Sequence, residues 1–127
     1  MSSAVTRGIR VTVASEYIPD RSLPRARRFA FAYTVQITNE GKEAAQLVGR
    51  HWVIMDAEGG VQEVRGEGVV GVQPMLRPGE SFEYTSWCVI PTPSGSMRGQ
   101  YQMTDAEGGR FDAEIASFRL GLPHTLN

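Results

Sequence analysis

Large side chains recur at every second position along much of this chain, and that period restricts its folds more than any other feature. In FAFAYTVQI, residues 29–37, Phe29, Phe31, Tyr33, Val35 and Ile37 alternate with Ala30, Ala32, Thr34 and Gln36. Successive side chains of an extended strand point to opposite faces, so five large apolar groups on one face demand a second layer to cover them. The same alternation runs through Ile9, Val11 and Val13, through Phe82 and Tyr84, through Met97, Gly99, Tyr101 and Met103, and through Phe111, Ala113 and Ile115. After Ile115 the parity shifts to Phe118 and Leu120, and a β-bulge near Ala116–Ser117 restores the inward face. No stretch of a dozen residues keeps the i, i+3, i+4, i+7 spacing of an amphipathic helix.

Between the strands lie turn signals: Asn39–Lys42, Asp56–Gly60, Arg77–Glu80, Pro91–Gly95 and Asp105–Gly109. DAEGG occurs at 56–60 and again at 105–109, which predicts two hairpins with the same turn chemistry. QLVGRHWVIMD, 46–56, is apolar on both parities and reads as a central strand covered on both sides, with Trp52 between the layers. Tyr101, early in its strand, is a candidate tyrosine corner. About seven or more short strands make the fold class all-β, an antiparallel sandwich; a small barrel is the competing architecture.

At 127 residues the chain is expected to form a single domain over 1–127. With 41% hydrophobic and 21% charged residues it is globular, and a net charge of −1 supplies no field to attract nucleic acid or an anionic membrane. Cys88 is the only cysteine and can close no internal disulfide. MSSAVTRGIRV lacks a charged-then-apolar signal pattern, and no apolar run is long enough for a bilayer, so the expectation is a cytoplasmic protein without membrane insertion.

Gly66, Gly68 and Gly71 spell the G-x-G-x-x-G of dinucleotide-binding folds. That fingerprint must open a helix, whose first amides hold the phosphates, and Pro74 and Pro78 forbid a useful helix here. What survives is a glycine turn that, with Arg50 or Arg65, could form an anion nest, against a twisted strand segment that needs room for its backbone. His51 with Asp56 or Glu58 has no metal-ligand spacing, and His124 sits in a Gly/Pro/Thr tail. The DAEGG carboxylates, Asp56, Glu58, Asp105 and Glu107, are too few for a calcium loop. RSLPRARR, 21–28, reads as a solvated basic loop, and Cys88 as a structural thiol without an assigned base.

FAYTVQITNEG (31–41), QLVGRHWVIMD (46–56), EVRGEGVVGVQP (63–74), PGESFEYTS (78–86), TPSGSMRGQYQM (92–103) and FDAEIASFRL (111–120) together resemble the ApaG family, in order and across nearly all of the chain beyond residue 30. The resemblance implies an immunoglobulin/fibronectin type III-like sandwich. It also implies a bacterial cytosolic protein tied to cobalt tolerance and magnesium efflux, with no established catalysis or cofactor. Related domains in F-box proteins and a DNA-polymerase-interacting protein imply a role in protein recognition. The family's glycine pattern falls on Gly66, Gly68 and Gly71. Trp87, Ala116 and His51 depart from residues usual in the family; Trp87 either adds an aromatic to a binding surface or is buried to fill a gap in the packing. The expectation is a non-enzymatic binding module with an unidentified protein partner, and with homo-oligomers through sheet edges open to it. Nucleotide or pyrophosphate binding at GEGVVG and direct binding of a divalent cation are the alternatives.

Overall fold

The computed structural model describes residues 1–123; His124 lies outside them. Nine strands form in chain order: β1 (Ser2–Thr6), β2 (Ile9–Tyr17), β3 (Phe29–Asn39), β4 (Ala45–Asp56), β5 (Val61–Glu67), β6 (Met75–Leu76), β7 (Ser81–Ile90), β8 (Ser94–Thr104) and β9 (Arg110–Gly121). One sheet runs β1-β2-β3-β7; the other runs β5-β4-β8-β9, with β6 also pairing with β4. All pairings are antiparallel. The fold is the expected sandwich, not a barrel. Two single-turn 3-10 segments, Pro19–Arg21 and Pro24–Ala26, occupy the basic loop, and the described residues contain no α-helix. None of them forms a helix able to cross a membrane.

Two-residue periodicity becomes the core directly. Val11, Val13, Phe31, Val35, Ile37, Leu47, Met97, Tyr101, Met103, Ala113 and Leu120 are completely buried between the sheets. Trp52 stands at the centre, with its ring centroid 5.2 Å from Tyr33 and edge-to-face at 6.2 Å from Tyr101 and 5.9 Å from Phe118. Such aromatic contacts favour one geometry beyond the area they bury. The bulge expected in the last strand is present: Met97 faces Phe118 and Gly99 faces Ile115, so Ala116 and Ser117 share one position. A second bulge was not legible. In β4, Leu47 pairs with Met103 and Gly49 with Gln102, which leaves Val48 extra.

Three readings need correction. β4 is interior to its sheet but covered on one side only: Trp52 and Ile54 are buried, while Val53 and Met55 are half-buried on the outer face. Their apolar character reflects partial cover by long neighbouring side chains, such as Arg98, which is register-paired with Val53. Tyr101 is no tyrosine corner. Its hydroxyl bonds the hydroxyl of Tyr84 across the interior, joining β8 to β7. Finally β1, β5 and β6 are strands that alternation did not reveal, because β1 and β5 bury no large side chain and β6 is only two residues long.

Burial holds the Tyr84 and Tyr101 phenols well above the usual tyrosine range. Either Tyr84→Phe or Tyr101→Phe leaves a buried hydroxyl without its partner and should cost about 1–3 kcal/mol in urea unfolding. The double variant should cost less than the sum of the two. Because the folded state holds both protons more tightly than the unfolded chain, this contribution is complete below pH ~10 and is lost as pH rises beyond it. The urea midpoint should therefore fall as pH rises above about 10, and fall less in the double phenylalanine variant.

Candidate functional site

The glycine segment is an excursion from an edge strand. β5 pairs with β4 as far as Glu67 opposite Gly49. The Val48 carbonyl, displaced by the bulge, accepts the Gly68 amide at 2.9 Å and the Gln73 side-chain amide at 2.9 Å. Between these anchors Val69 and Val72 exchange both backbone hydrogen bonds, 2.8 and 3.0 Å. Val70 (φ +43°) and Gly71 (φ +83°) form the apex, and positive φ at both central residues is the signature of a type I′ turn. Gly71 suits that region; Val70, β-branched, is strained in it. Val69 is buried and plugs the core, whereas Val70 is exposed at the tip. The chain rejoins β4 through β6, and among the described residues no α-helix follows Gly71.

Arg50 and Arg65 do not converge on this turn. Arg50 pairs with Gly66 and Tyr101 in register, on the inner face; Arg65 pairs with His51, so it stands on the outer face. Gly66 makes room for the Arg50 guanidinium, since a Cβ there would lie 2.7 Å from its Nη1. Nη1 donates to the carbonyls of Glu67 and Gly68, both at 3.0 Å. The glycine pattern thus supports a crossing of arginine and backbone, and the amides of Gly68, Val69 and Val72 are already bonded.

The other singled-out residues have structural partners. In each DAEGG turn the aspartate Oδ1 accepts two amides: Glu58 at 2.8 Å and Gly60 at 3.0 Å for Asp56, Glu107 at 2.9 Å and Gly109 at 2.8 Å for Asp105. Those amides of Gly109 and Glu107 hold the Asp105 carboxyl below its usual range. His51 Nε2 meets Glu63 at 2.8 Å. No cluster of three or more histidine, cysteine or acidic residues suited to a metal occurs among the described residues. Cys88 is half-buried against Met97, its thiol pushed up to about 11 by burial, far from a thiolate nucleophile. In the basic loop, Arg27 pairs with Glu58 and Arg21 lies 5.2 Å over the Trp87 ring.

What sequence reading did not locate is a cleft of about 300 Å³ between the two sheets, on the side where β5 and β7 are both edges. Tyr33, Arg50, Trp52, Ser86 and Cys88 are among the residues that line it, with Gln62 and Val64 at its β5 side. Trp87 is 51% exposed and Val64 39%. A more open concavity of about 550 Å³ lies on the outer face near the β9 bulge, lined by Arg98, Gln100, Asp112 and Glu114.

The ApaG domain model matches residues 19–105. The chain belongs to the ApaG family. It is 58% identical over 127 residues to Protein ApaG of Anaeromyxobacter dehalogenans (strain 2CP-C), covering the whole of both chains. It is also 58% identical to Protein ApaG of Rhodospirillum centenum, over 98% of this chain and 95% of that one. Among solved structures, the ApaA protein of Bordetella pertussis superposes with a TM-score of 0.89 at 52% identity, over 91% of this chain and 94% of the other. The C-terminal domain of wzt shares the fold alone, with a TM-score of 0.56 at 9% identity, over 95% and 77% of the two chains.

Within this ApaG domain the apex of the glycine turn is the point of backbone strain. Val70→Asn creates the Asn-Gly pair that a type I′ turn prefers and should raise stability by about 1 kcal/mol in urea unfolding. Gly66→Val should do the opposite. By displacing the guanidinium and leaving the Glu67 and Gly68 carbonyls without it, it should cost about 1–3 kcal/mol in the same measurement.

Proposed function

We propose that this ApaG chain is a non-enzymatic protein-recognition module that works in the cytoplasm. One observation carries the reading: among the described residues both edge strands on one side of the sandwich, β5 and β7, remain without a further strand and expose apolar side chains, Val61, Val64 and Trp87, beside a cleft. Unpaired strand edges are templates for pairing, and aromatic residues at a rigid edge are good anchors. The strained tip at Val70, with Gly66, Gly68 and Gly71 shaping it over Arg50, supplies a second projecting element on the same edge strand. On this reading the family's link to cobalt tolerance and magnesium efflux runs through the partner. The carboxylates of Asp56 and Asp105 favour that indirect route, because backbone amides already occupy their Oδ1 atoms.

The test is affinity capture from native cell extract with the full chain, competed by excess untagged protein, followed by crosslink mapping. A competition-sensitive protein partner contacting the β5–β7 side or the Val69–Val72 turn is the expected result. Absence of any competed partner, together with turnover of a small molecule by the purified protein, would refute the reading.

A further inference from the structure

The cleft beside β7 has a chemistry that specifies its occupant. β7 pairs with β3 in register from Ile90 opposite Phe29 to Ser81 opposite Thr38, and beyond it the Asn39 amide donates to the Glu80 carbonyl at 2.9 Å. Hydrogen-bonded and non-hydrogen-bonded pairs alternate in an antiparallel ladder. Phe82, Tyr84, Ser86 and Cys88 therefore direct their backbone groups to β3. Glu83, Thr85, Trp87 and Val89 direct theirs to the open edge.

A strand added to that edge would point alternate side chains outward, alongside Trp87, and inward, into the space between the sheets. Arg50 waits on the inner side. Among the described residues lining the cleft it alone is charged. Its Nη1 is engaged by two carbonyls, and its remaining donors have no protein hydrogen bond among the described residues. Around it stand neutral donors, the hydroxyls of Tyr33 and Ser86 and the amide of Gln62. Burial keeps the Tyr33 phenol protonated, so it can donate but brings no competing charge. A half-buried guanidinium among neutral donors, with no carboxylate in the lining, is complementary to an anion on a chain that also has apolar side chains.

We propose that β7 accepts an extended segment of a partner protein whose inward-facing Asp or Glu binds Arg50, while outward-facing apolar residues flank Trp87. The proposal rests on the recognition reading above and narrows it to one partner chemistry. Glu83, also on the open edge, sets the polarity: it repels a second acidic residue at the far end of the segment and so favours a single carboxylate at the Arg50 level.

A phage-displayed library of random octapeptides, panned against the full chain, tests it. The expected winners alternate apolar residues around one Asp or Glu. A synthetic winner titrated into labelled protein should shift the amides of Thr85, Trp87 and Val89 and the side-chain Nε–H of Arg50. Its twin with Asn or Gln in place of the acid should bind about tenfold more weakly, as expected for loss of a charge-assisted bond. Gln62→Glu, at an exposed position on the cleft rim, should weaken the acidic peptide more than the twin while leaving the amide spectrum of the free protein otherwise unchanged. Winners without acidic enrichment, equal affinity for the twin, or shifts confined to other surfaces would each overturn the proposal. So would a dimer in sedimentation that shields the same β7 amides, which would assign the edge to a second copy of the chain. A captured partner mapped to another face would sink this proposal and leave the recognition reading standing; absence of any competed partner, together with turnover of a small molecule by the purified protein, would remove both.

Discussion

The structure depends on Trp52 being held between two sheets. Its ring touches Tyr33 from one layer and Tyr101 and Phe118 from its own, so the sheets cannot slide without breaking edge-to-face contacts that are specific in geometry. Apolar packing alone tolerates repacking; the hydroxyl pair of Tyr84 and Tyr101 adds a directional tie across the same interior. Buried Asn39 plays a similar part at one end of the sandwich. Its side-chain amide donates to the carbonyls of Glu43 and Leu76, and its oxygen accepts the Gly41 amide. One side chain thereby ties the β3–β4 connection to β6.

These ties leave the sandwich asymmetric. On one side β9 is stitched to the opposite sheet: Ser15 donates to the Arg119 carbonyl at 2.7 Å, Thr6 accepts the Glu114 amide at 3.0 Å, and Arg7 lies 4.5 Å over the Phe111 ring. On the other side β5 and β7 have no such links among the described residues, and the gap between them is the cleft that exposes Arg50. Closing one side and leaving the other open gives the sandwich a directional surface. The glycine turn belongs to that open side, since β5 leads into it and the Val48 bulge anchors its base.

Much of this could be read from residues. Period-two alternation in 29–37 and 97–103 gave β3 and β8, and the parity shift after Ile115 gave the β9 bulge, because burying one face forces each large side chain inward. The two DAEGG turns were legible for the same reason that they are alike: an aspartate accepting two amides, and a glycine at positive φ. The exposed edge strand β5 was not legible. β5 is exposed along most of its length, so solvent rather than a core chose its side chains, and alternation carries no signal there.

The sequence by itself determined an antiparallel all-β fold, most of the residues of its core and the absence of a helix after the glycine triad, since these follow from strand period, proline and turn chemistry within a few residues. Tertiary structure decided where Arg50 goes, which strands stay at the edges, and that Tyr101 bonds Tyr84 and not the backbone nearby. Those depend on pairing between segments far apart in the chain, where a single bulged residue such as Val48 re-aims everything beyond it, and no local pattern encodes that register.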